Sequence, residues 1–342
     1  MDPGFGTAFT DHMATARWDE QRGWHDAAIV PYAAEPMDPA TSGLHYGQVV
    51  FEGLKAFRQP DGTAALFRPD YHARRLGRSA GRLAMPSPPP ALVVSLLESL
   101  VRADHAWLPD QPGHSLYLRP LLYATEPALG LRPASSYRMM VIAFACSPML
   151  GTDPVSVWIC DDQVRAAPGG TGDIKAAGNY AAGLAAHARA TAEGCQQAVW
   201  LDAVERRWVE EMGTMNLFFG WRSGRLTTPP LGGTILAGAT RDSLLALARD
   251  AGYHVAEEPL SVHRWQAACL DGSLAETFAC GTAATVVPIG AVRSAAADWT
   301  IGDGGTGPVT AALRDRLLDV QFGRAADPHG WRHPVSAAEL VP

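Results

Sequence analysis

The chain has 342 residues, 47% of them hydrophobic and only 18% charged, with a formal net charge of −7. That length suits one large or two ordinary domains, and the low charged fraction fits a large buried share or an oligomer interface. The acidic balance, with no Lys/Arg block, argues against a nucleic-acid or anionic-membrane surface.

Residues 1 to about 40 carry Pro, Asp and Gly with only weak patterning. The pattern tightens from Leu44. Leu66-Phe67-Arg68 reads as the end of a strand, and Pro69-Asp70 starts a helix that runs to Leu83. Ala91 to Ala103 has Leu92, Leu96, Leu97 and Leu100 at helical spacing. Leu116 to Leu122 and Met139 to Cys146 read as strands. Pro, Gly and Asp clusters from Pro148 to Gly172 surround one short strand, Val155 to Cys160, and mark a passage between domains. The expected division is 1–150, a connection over 151–172, and 173–342.

In the second half, Asn179 is placed to cap a helix through Thr191 that Gly194 ends. Ala198 to Leu201, Arg207 to Glu210 and Leu217 to Trp221 read as antiparallel strands. A helix over Arg241 to Asp250 stops at Gly252, and a short strand, Phe278 to Cys280, ends at Gly281. Val309, Leu313, Leu317 and Val320 mark a last amphipathic helix stopped by Gly323. Strands and helices are intermixed without a βαβ rhythm, which predicts two α+β domains with a cleft between them.

Cys146, Cys160, Cys195, Cys269 and Cys280 are scattered, and none forms a Cys-x-x-Cys pair. Neither a disulfide framework nor a zinc site is supported, so the expectation is a reducing cytoplasm and no metal. The N-terminus lacks a basic region followed by an apolar one, and the longest apolar run, Met139 to Cys146, is too short to span a bilayer. The ten tryptophans fit interface anchors and core packing equally well.

The chemistry concentrates in Gly169-Gly-Thr-Gly-Asp-Ile-Lys175-Ala-Ala-Gly-Asn-Tyr180. A lysine among small, apolar and turn-forming neighbours loses hydration, which lowers its pKa and favours Schiff-base chemistry. The plain alternative is a solvated loop lysine. Ile235 to Asp242 is a turn entering a helix, where backbone N–H groups and the Thr240 hydroxyl suit a phosphate; alternatively Thr240 merely caps the helix. Of Arg74 and Arg75, one is expected to face solvent; the other either reaches a phosphate or is itself a surface charge. Glu210-Glu211 at a strand end puts one carboxylate inward, where its partner is either a protonated pyridine nitrogen or an arginine. Gly281-Thr282-Ala283-Ala284 offers backbone amides to an oxyanion. Tyr117 and Arg119 share one face of a strand and suit a substrate carboxylate.

Taken together, these segments resemble the branched-chain amino acid aminotransferases, the fold-type IV pyridoxal-phosphate enzymes. The matching words are Leu44-His45-Tyr46-Gly47-Gln48, Phe51-Glu52-Gly53-Leu54-Lys55-Ala56, Leu66 to Asp70, Tyr117 to Pro120, Gly178-Asn179-Tyr180, Glu211 to Phe218, Gly238 to Asp242 and Gly281-Thr282-Ala283. They occur in the family's order over roughly residues 40 to 335. The resemblance implies a small N-terminal domain, a larger pseudo-barrel domain, pyridoxal 5'-phosphate between them, and a homodimer or larger assembly.

It also implies roles. Lys175 would be the catalytic Schiff-base lysine and proton shuttle. Glu211 would pair with the pyridine nitrogen, and Tyr180 with the ring hydroxyl oxygen. Arg75, Ala239, Thr240 and Thr282 would hold the phosphate, with Leu236 against the ring. Tyr46, Phe51, Tyr117, Arg119, Thr282 and Ala283 would shape the substrate pocket. The substrates would be an L-amino acid, aliphatic or branched-chain, and a 2-oxo acid such as 2-oxoglutarate.

The family's Gly-x-Tyr word is replaced by Ser147-Pro148-Met149-Leu150-Gly151, so a tyrosine that lines the side-chain pocket is missing. That loss widens the pocket or changes its polarity, unless a neighbour fills the space. It motivates a variant reading, a transaminase for a non-standard amino acid. The other readings are a D-amino acid aminotransferase, an aminodeoxychorismate lyase and a catalytically silent binder; intact Lys175, Glu211 and Tyr180 argue against the last. A nucleotide-binding protein is disfavoured because Gly169 to Gly172 lacks P-loop or dinucleotide spacing.

Overall fold

The computed structural model describes residues 5–147 and 150–336. The chain opens on β1 (His12–Asp19) and β2 (Gly23–Pro31), where the sequence suggested only weak patterning. The reason is visible in their burial. β1 hides Met13, Ala14, Thr15 and Ala16 in an unbroken run, and β2 has no fully buried residue, so neither strand alternates. Next come α1 (Ser42–Tyr46), β3 (Val49–Phe51), β4 (Leu54–Arg58) and β5 (Ala64–Phe67). Then α2 (Pro69–Arg82) begins at its proline, whose fixed φ and missing N–H suit a first helical turn. After α3 (Pro90–Ala103), β6 (Ser115–Ala124) and β7 (Ser136–Cys146) follow close to their expected limits.

Beyond them lie β8 (Val155–Cys160), α4 (Ala177–Ala181), α5 (Leu184–Ala192), β9 (Gln197–Leu201), β10 (Val209–Met212), β11 (Met215–Trp221) and β12 (Arg225–Thr228). The single helix expected to start at Asn179 is thus two short helices, with Gly183 between them. The chain continues with α6 (Ala239–Asp250), β13 (His254–Glu257), α7 (Val262–Leu270), β14 (Leu274–Gly281) and β15 (Thr285–Arg293). Last are β16 (Trp299–Thr300), α8 (Pro308–Gln321) and β17 (Arg332–Val335). All three expected helix stops hold: Gly194, Gly252 and Gly323 follow α5, α6 and α8 with φ of 73°, 84° and 70°, a region open to glycine.

The chain divides into two compact units. Unit 1 comprises Met1–Ser147, Ile174–Gly178 and Asp319–Pro342; unit 2 comprises Pro148–Asp173 and Asn179–Leu318. The expected cuts at 150 and 172 are therefore crossed twice. Ile174–Gly178 joins unit 1 because Ala176 bridges Val50 and the Lys175 carbonyl accepts the Phe51 N–H. The C-terminal segment joins it because β17 pairs antiparallel with β5, Arg332 opposite Phe67.

In unit 1 the strands run β17-β5-β4-β6-β7-β1-β2, with β3 on β6, and every pairing is antiparallel. Leu76 of α2 and Leu97 and Leu100 of α3 pack with Leu116, Leu118 and Val141 of the sheet. In unit 2 the order is β10-β9-β8-β15-β14-β11, and β11 pairs again with β10. Six strands thus close on themselves, while β12 and β13 extend the sheet beyond β11 and β16 pairs with β15. This is the barrel expected of the second domain. Trp200 and Trp265 are wholly buried in unit 2, so for those two the core reading holds.

Candidate active site

Unit 1 carries Lys175 on a short strap. Its backbone N–H donates to Ser79 Oγ at 3.0 Å, and its carbonyl accepts from Phe51 N at 3.1 Å. The strap is held at both backbone groups, so the side chain leaves from a fixed point. Nζ lies 4.9 Å from the centroid of the Phe51 ring, within cation–π reach.

Ser79 sits on the buried face of α2, and Arg75 and His72 occupy the same face. Arg74 is exposed and Arg75 is 4% exposed, so of the adjacent pair it is Arg75 that turns inward. Its Nε and Nη2 donate to Glu52 at 2.6 and 2.8 Å, and His72 Nδ1 lies 2.8 Å from Glu52 Oε2. Burial alone pushes the Glu52 carboxyl up, but the Arg75 charge and its hydrogen bonds, helped by His72, hold it well below the usual range. Burial lowers the His72 imidazole, and the Arg75 and Lys175 charges add to that against the pull of Glu52.

Phe51, Tyr117 and Arg119 come together as expected. The Arg119 guanidinium lies 4.7 Å from the Phe51 ring and 5.4 Å from the Tyr117 ring, and Nη2 stands 3.4 Å from the Tyr117 hydroxyl. Arg119 Nε is buried and has no hydrogen-bond partner among the described residues. Tyr117 stacks on Phe144, and a Cβ at Gly53 would strike its hydroxyl. Tyr46 is placed apart from this trio: it is 43% exposed on α1 and its hydroxyl donates to the Leu129 carbonyl at 2.5 Å.

Unit 2 carries Glu211 on β10, 2% exposed. Oε1 accepts from Leu236 N at 2.8 Å and Asn216 Nδ2 at 3.3 Å. Oε2 lies 3.1 Å from Arg165 Nε, a charge contact whose angle falls short of a hydrogen bond. Arg165 Nη2 donates to the carbonyls of Gly172 (3.0 Å) and Thr234. Neighbouring Glu210 is buried as well; burial pushes its carboxyl up, and the Thr234 hydroxyl donates to it.

Asn216 organises this corner. It faces Glu211 across β10–β11 and Cys280 across β11–β14, and its Nδ2 donates to the Leu236 carbonyl at 3.0 Å. A Cβ at Gly238 would collide with its Oδ1, so the N-terminus of α6 approaches as closely as a glycine allows. The N-cap of α6 is Gly238, with extended backbone and no side-chain cap bond. Thr240 is therefore not the cap. It lies inside the first turn, 7% exposed, next to Ala239, at the positive end of the helix. Gly281 pairs with Thr285 at the β14–β15 turn, and Thr282 and Ala283 form its half-buried tip. Tyr180 is half-buried on α4. Asn179 is not a helix cap, since it sits inside α4. Its Nδ2 donates to the Thr171 carbonyl and its Oδ1 accepts from the Thr171 hydroxyl, both at 2.6 Å.

Sequence reasoning missed Arg165, Glu52, His72, Ser79 and Asn216 as partners. Only the i, i+3 spacing of His72 and Arg75 was a usable signal; the others meet their partners through tertiary contacts. Each unit carries groups of the kind that pyridoxal phosphate takes: unit 1 an amine on a fixed strap and a buried guanidinium, unit 2 a buried carboxylate and a helix N-terminus with an adjoining hydroxyl. Among the described residues no cluster of three or more His, Cys, Asp or Glu side chains suits a metal ion.

The sequence profile of the Amino-transferase class IV family matches residues 49–292. A probable branched-chain-amino-acid aminotransferase of Streptomyces coelicolor is 52% identical, over 98% of this chain and 93% of its own. The fold is similar to that of the Escherichia coli branched-chain amino acid aminotransferase, with TM-score 0.80, 26% identity, and 96% and 100% of the two chains covered. It is also similar to the branched-chain amino acid aminotransferase of Thermobaculum terrenum, solved in its PLP form, with TM-score 0.76, 25% identity, and 96% and 99% covered.

Proposed function

Since this chain belongs to the class IV aminotransferases and is a pyridoxal-phosphate-dependent enzyme of fold type IV, we propose that it moves the amino group of a branched-chain or similar aliphatic L-amino acid to a 2-oxo acid such as 2-oxoglutarate. The observation that carries the reading is the Lys175 strap, fixed at both backbone groups with Nζ beside Phe51. The names of the relatives, all branched-chain aminotransferases, support the substrate class.

Bound pyridoxal phosphate would supply an aldehyde that condenses with amines and a ring that accepts electrons. Lys175 Nζ would hold the cofactor and move the proton of the substrate Cα. Glu211 would keep the pyridine nitrogen protonated, and the Leu236 N–H and Asn216 amide hold its Oε1 in place. Tyr180 would hydrogen-bond the ring hydroxyl oxygen, with Leu236 against the ring. Arg75, Ala239, Thr240 and Thr282 would hold the phosphate. Phe51, Tyr117 and Arg119 orient the substrate with Thr282 and Ala283, and the unpartnered Arg119 Nε suits a carboxylate. Tyr46 contributes only if an assembly carries it to a pocket.

Leu44, Leu129 and Leu131, exposed by 63, 59 and 86%, support a homodimer or larger assembly through this part of unit 1. Light scattering after size exclusion measures it. All five cysteines are free, which suits the cytoplasm. Among the described residues no helix is long and apolar enough to cross a membrane.

The test is an absorbance spectrum before and after adding L-leucine without a keto acid. A visible band that converts to the near-ultraviolet band of the aminated cofactor supports the reading. An unchanged band removes leucine as substrate and calls for a wider amino-acid panel. Pro148 and Met149, where the pocket tyrosine is replaced, lie outside the described residues, and that panel reads their effect.

A further inference from the structure

Glu52 lies between β3 and β4 and is 1% exposed. Its carboxylate takes four donors: Gly53 N at 3.1 Å, His72 Nδ1 at 2.8 Å, and Arg75 Nε and Nη2 at 2.6 and 2.8 Å. A carboxylate offers about four lone-pair sites. Three of the four converge on Oε2 and one on Oε1, so Glu52 is committed to these groups and acts on a ligand through them. His72 and Arg75 are one turn apart on α2, so a single carboxylate from the sheet fixes two side chains of one helix face.

We propose that Glu52 is a positioning residue for cofactor phosphate, setting the guanidinium of Arg75 with His72 as its second anchor; this rests on the reading of Arg75 as a phosphate residue. The contact is side-on, through the Nε–Nη2 edge, which fixes both the plane and the rotamer of the guanidinium. An oxyanion is then met by a guanidinium in a predetermined orientation. A buried guanidinium also needs a counter-charge when no phosphate is bound, and Glu52 supplies it. His72 donates Nδ1–H to the same carboxylate; Arg75 Nη2 stands 3.4 Å from that nitrogen, and the two donors are held side by side by the oxygen they share.

The charge on Glu52 is what the arrangement requires. In Glu52→Gln, either amide orientation turns an N–H toward a donor: Arg75 Nε–H on one side, or the Gly53, His72 and Arg75 Nη2 donors on the other. The guanidinium loses its seat although the side-chain volume is kept.

The experiment measures equilibrium binding of pyridoxal phosphate and of pyridoxal, which lacks the phosphate, to the full chain. Wild type, Glu52→Gln, Glu52→Asp and Arg75→Ala are compared, with circular dichroism as the check on folding. The expected result for Glu52→Gln is a loss of about 10- to 100-fold in affinity for pyridoxal phosphate, the scale of one charged hydrogen-bond contact, with pyridoxal binding little changed. Glu52→Asp keeps the charge one methylene short and gives a smaller loss of the same selectivity; it serves as the test if the glutamine variant does not fold. Equal losses for both ligands, or no loss, overturn the proposal while Arg75→Ala still abolishes the preference for phosphate. If Arg75→Ala retains that preference, the reading of Arg75 fails and the proposal falls with it.

Discussion

Arg165 Nε stands 3.1 Å from Glu211 Oε2, and both side chains are buried in unit 2. Of the two partners open to the inward carboxylate, a ring nitrogen and an arginine, the arginine is present. Arg165 takes Oε2, while Leu236 N and Asn216 Nδ2 converge on Oε1. Removing the arginine leaves a buried carboxylate short of a counter-charge, a loss of about 3–5 kcal/mol for a broken buried pair. Arg165→Met is expected to lower the urea midpoint accordingly, and Arg165→Lys to recover part of it. Wild-type stability in Arg165→Met would mean that the pair contributes nothing.

Glu211→Ala is expected to bind pyridoxal phosphate and lose about 10²-fold or more in kcat, since the ring would no longer be kept protonated. Lys175→Ala is expected to lose at least about 10³-fold, because both the covalent attachment and the proton shuttle go with Nζ. Steady-state transamination rates check both variants. A rate near wild type in either variant reassigns that residue.

What could be read from the chain divides along a physical line. α2, α3, β6, β7 and β8 were legible because local periodicity and a starting proline specify them. β1 and β2 were not, since their burial does not alternate, and β15 was hidden by Pro288 and Gly290 within its run. The pairing of β17 with β5, and with it the assignment of the C-terminus to unit 1, leaves no local trace. In the site, the residue words gave Lys175, Glu211, Arg75 and the Phe51–Tyr117–Arg119 trio. Their partners Arg165, Asn216, Ser79 and Glu52 needed the fold, because each meets its group across a strand pair, a loop or a helix face.

Gly53→Ala tests how tightly the trio is set. Its Cβ would run into the Tyr117 hydroxyl, and Tyr117 cannot retreat freely because it stacks on Phe144 at 5.0 Å. Overpacking of this kind costs about 1–3 kcal/mol. The expectation is a lower melting temperature together with a raised KM for the 2-oxo acid, since Arg119 lies against the displaced ring. An unchanged KM would separate Arg119 from substrate binding.

The cysteines are expected to be inert in the native protein. Burial pushes the Cys269 thiol up to about 12 and raises Cys160, Cys195 and Cys280 too. Since the thiolate is the reactive form, alkylation at pH 8 should be slow until denaturant is added, with Cys269, the least buried, reacting first. Rapid native labelling of Cys280 would contradict its burial.

His72 gives the fold a pH dependence whose sign follows from its surroundings. Burial holds the imidazole below its ordinary value of 6.5; Glu52 restores only part of that, and the Arg75 and Lys175 charges add to the lowering. In the native state it therefore stays neutral at a pH where the unfolded chain already takes up a proton. As pH falls through about 6.5 the unfolded state binds more protons than the native one, so stability declines, by at most about 1.4 kcal/mol per pH unit from this group. The decline continues until the native pKa is reached, and above 6.5 the group adds no slope. His72→Asn keeps a donor near the position of Nδ1 but cannot titrate. Urea unfolding of both proteins between pH 5 and 7 should show wild type losing ground relative to the variant toward pH 5. Parallel curves over that range would mean that the imidazole takes its proton in the folded state as readily as in the unfolded one.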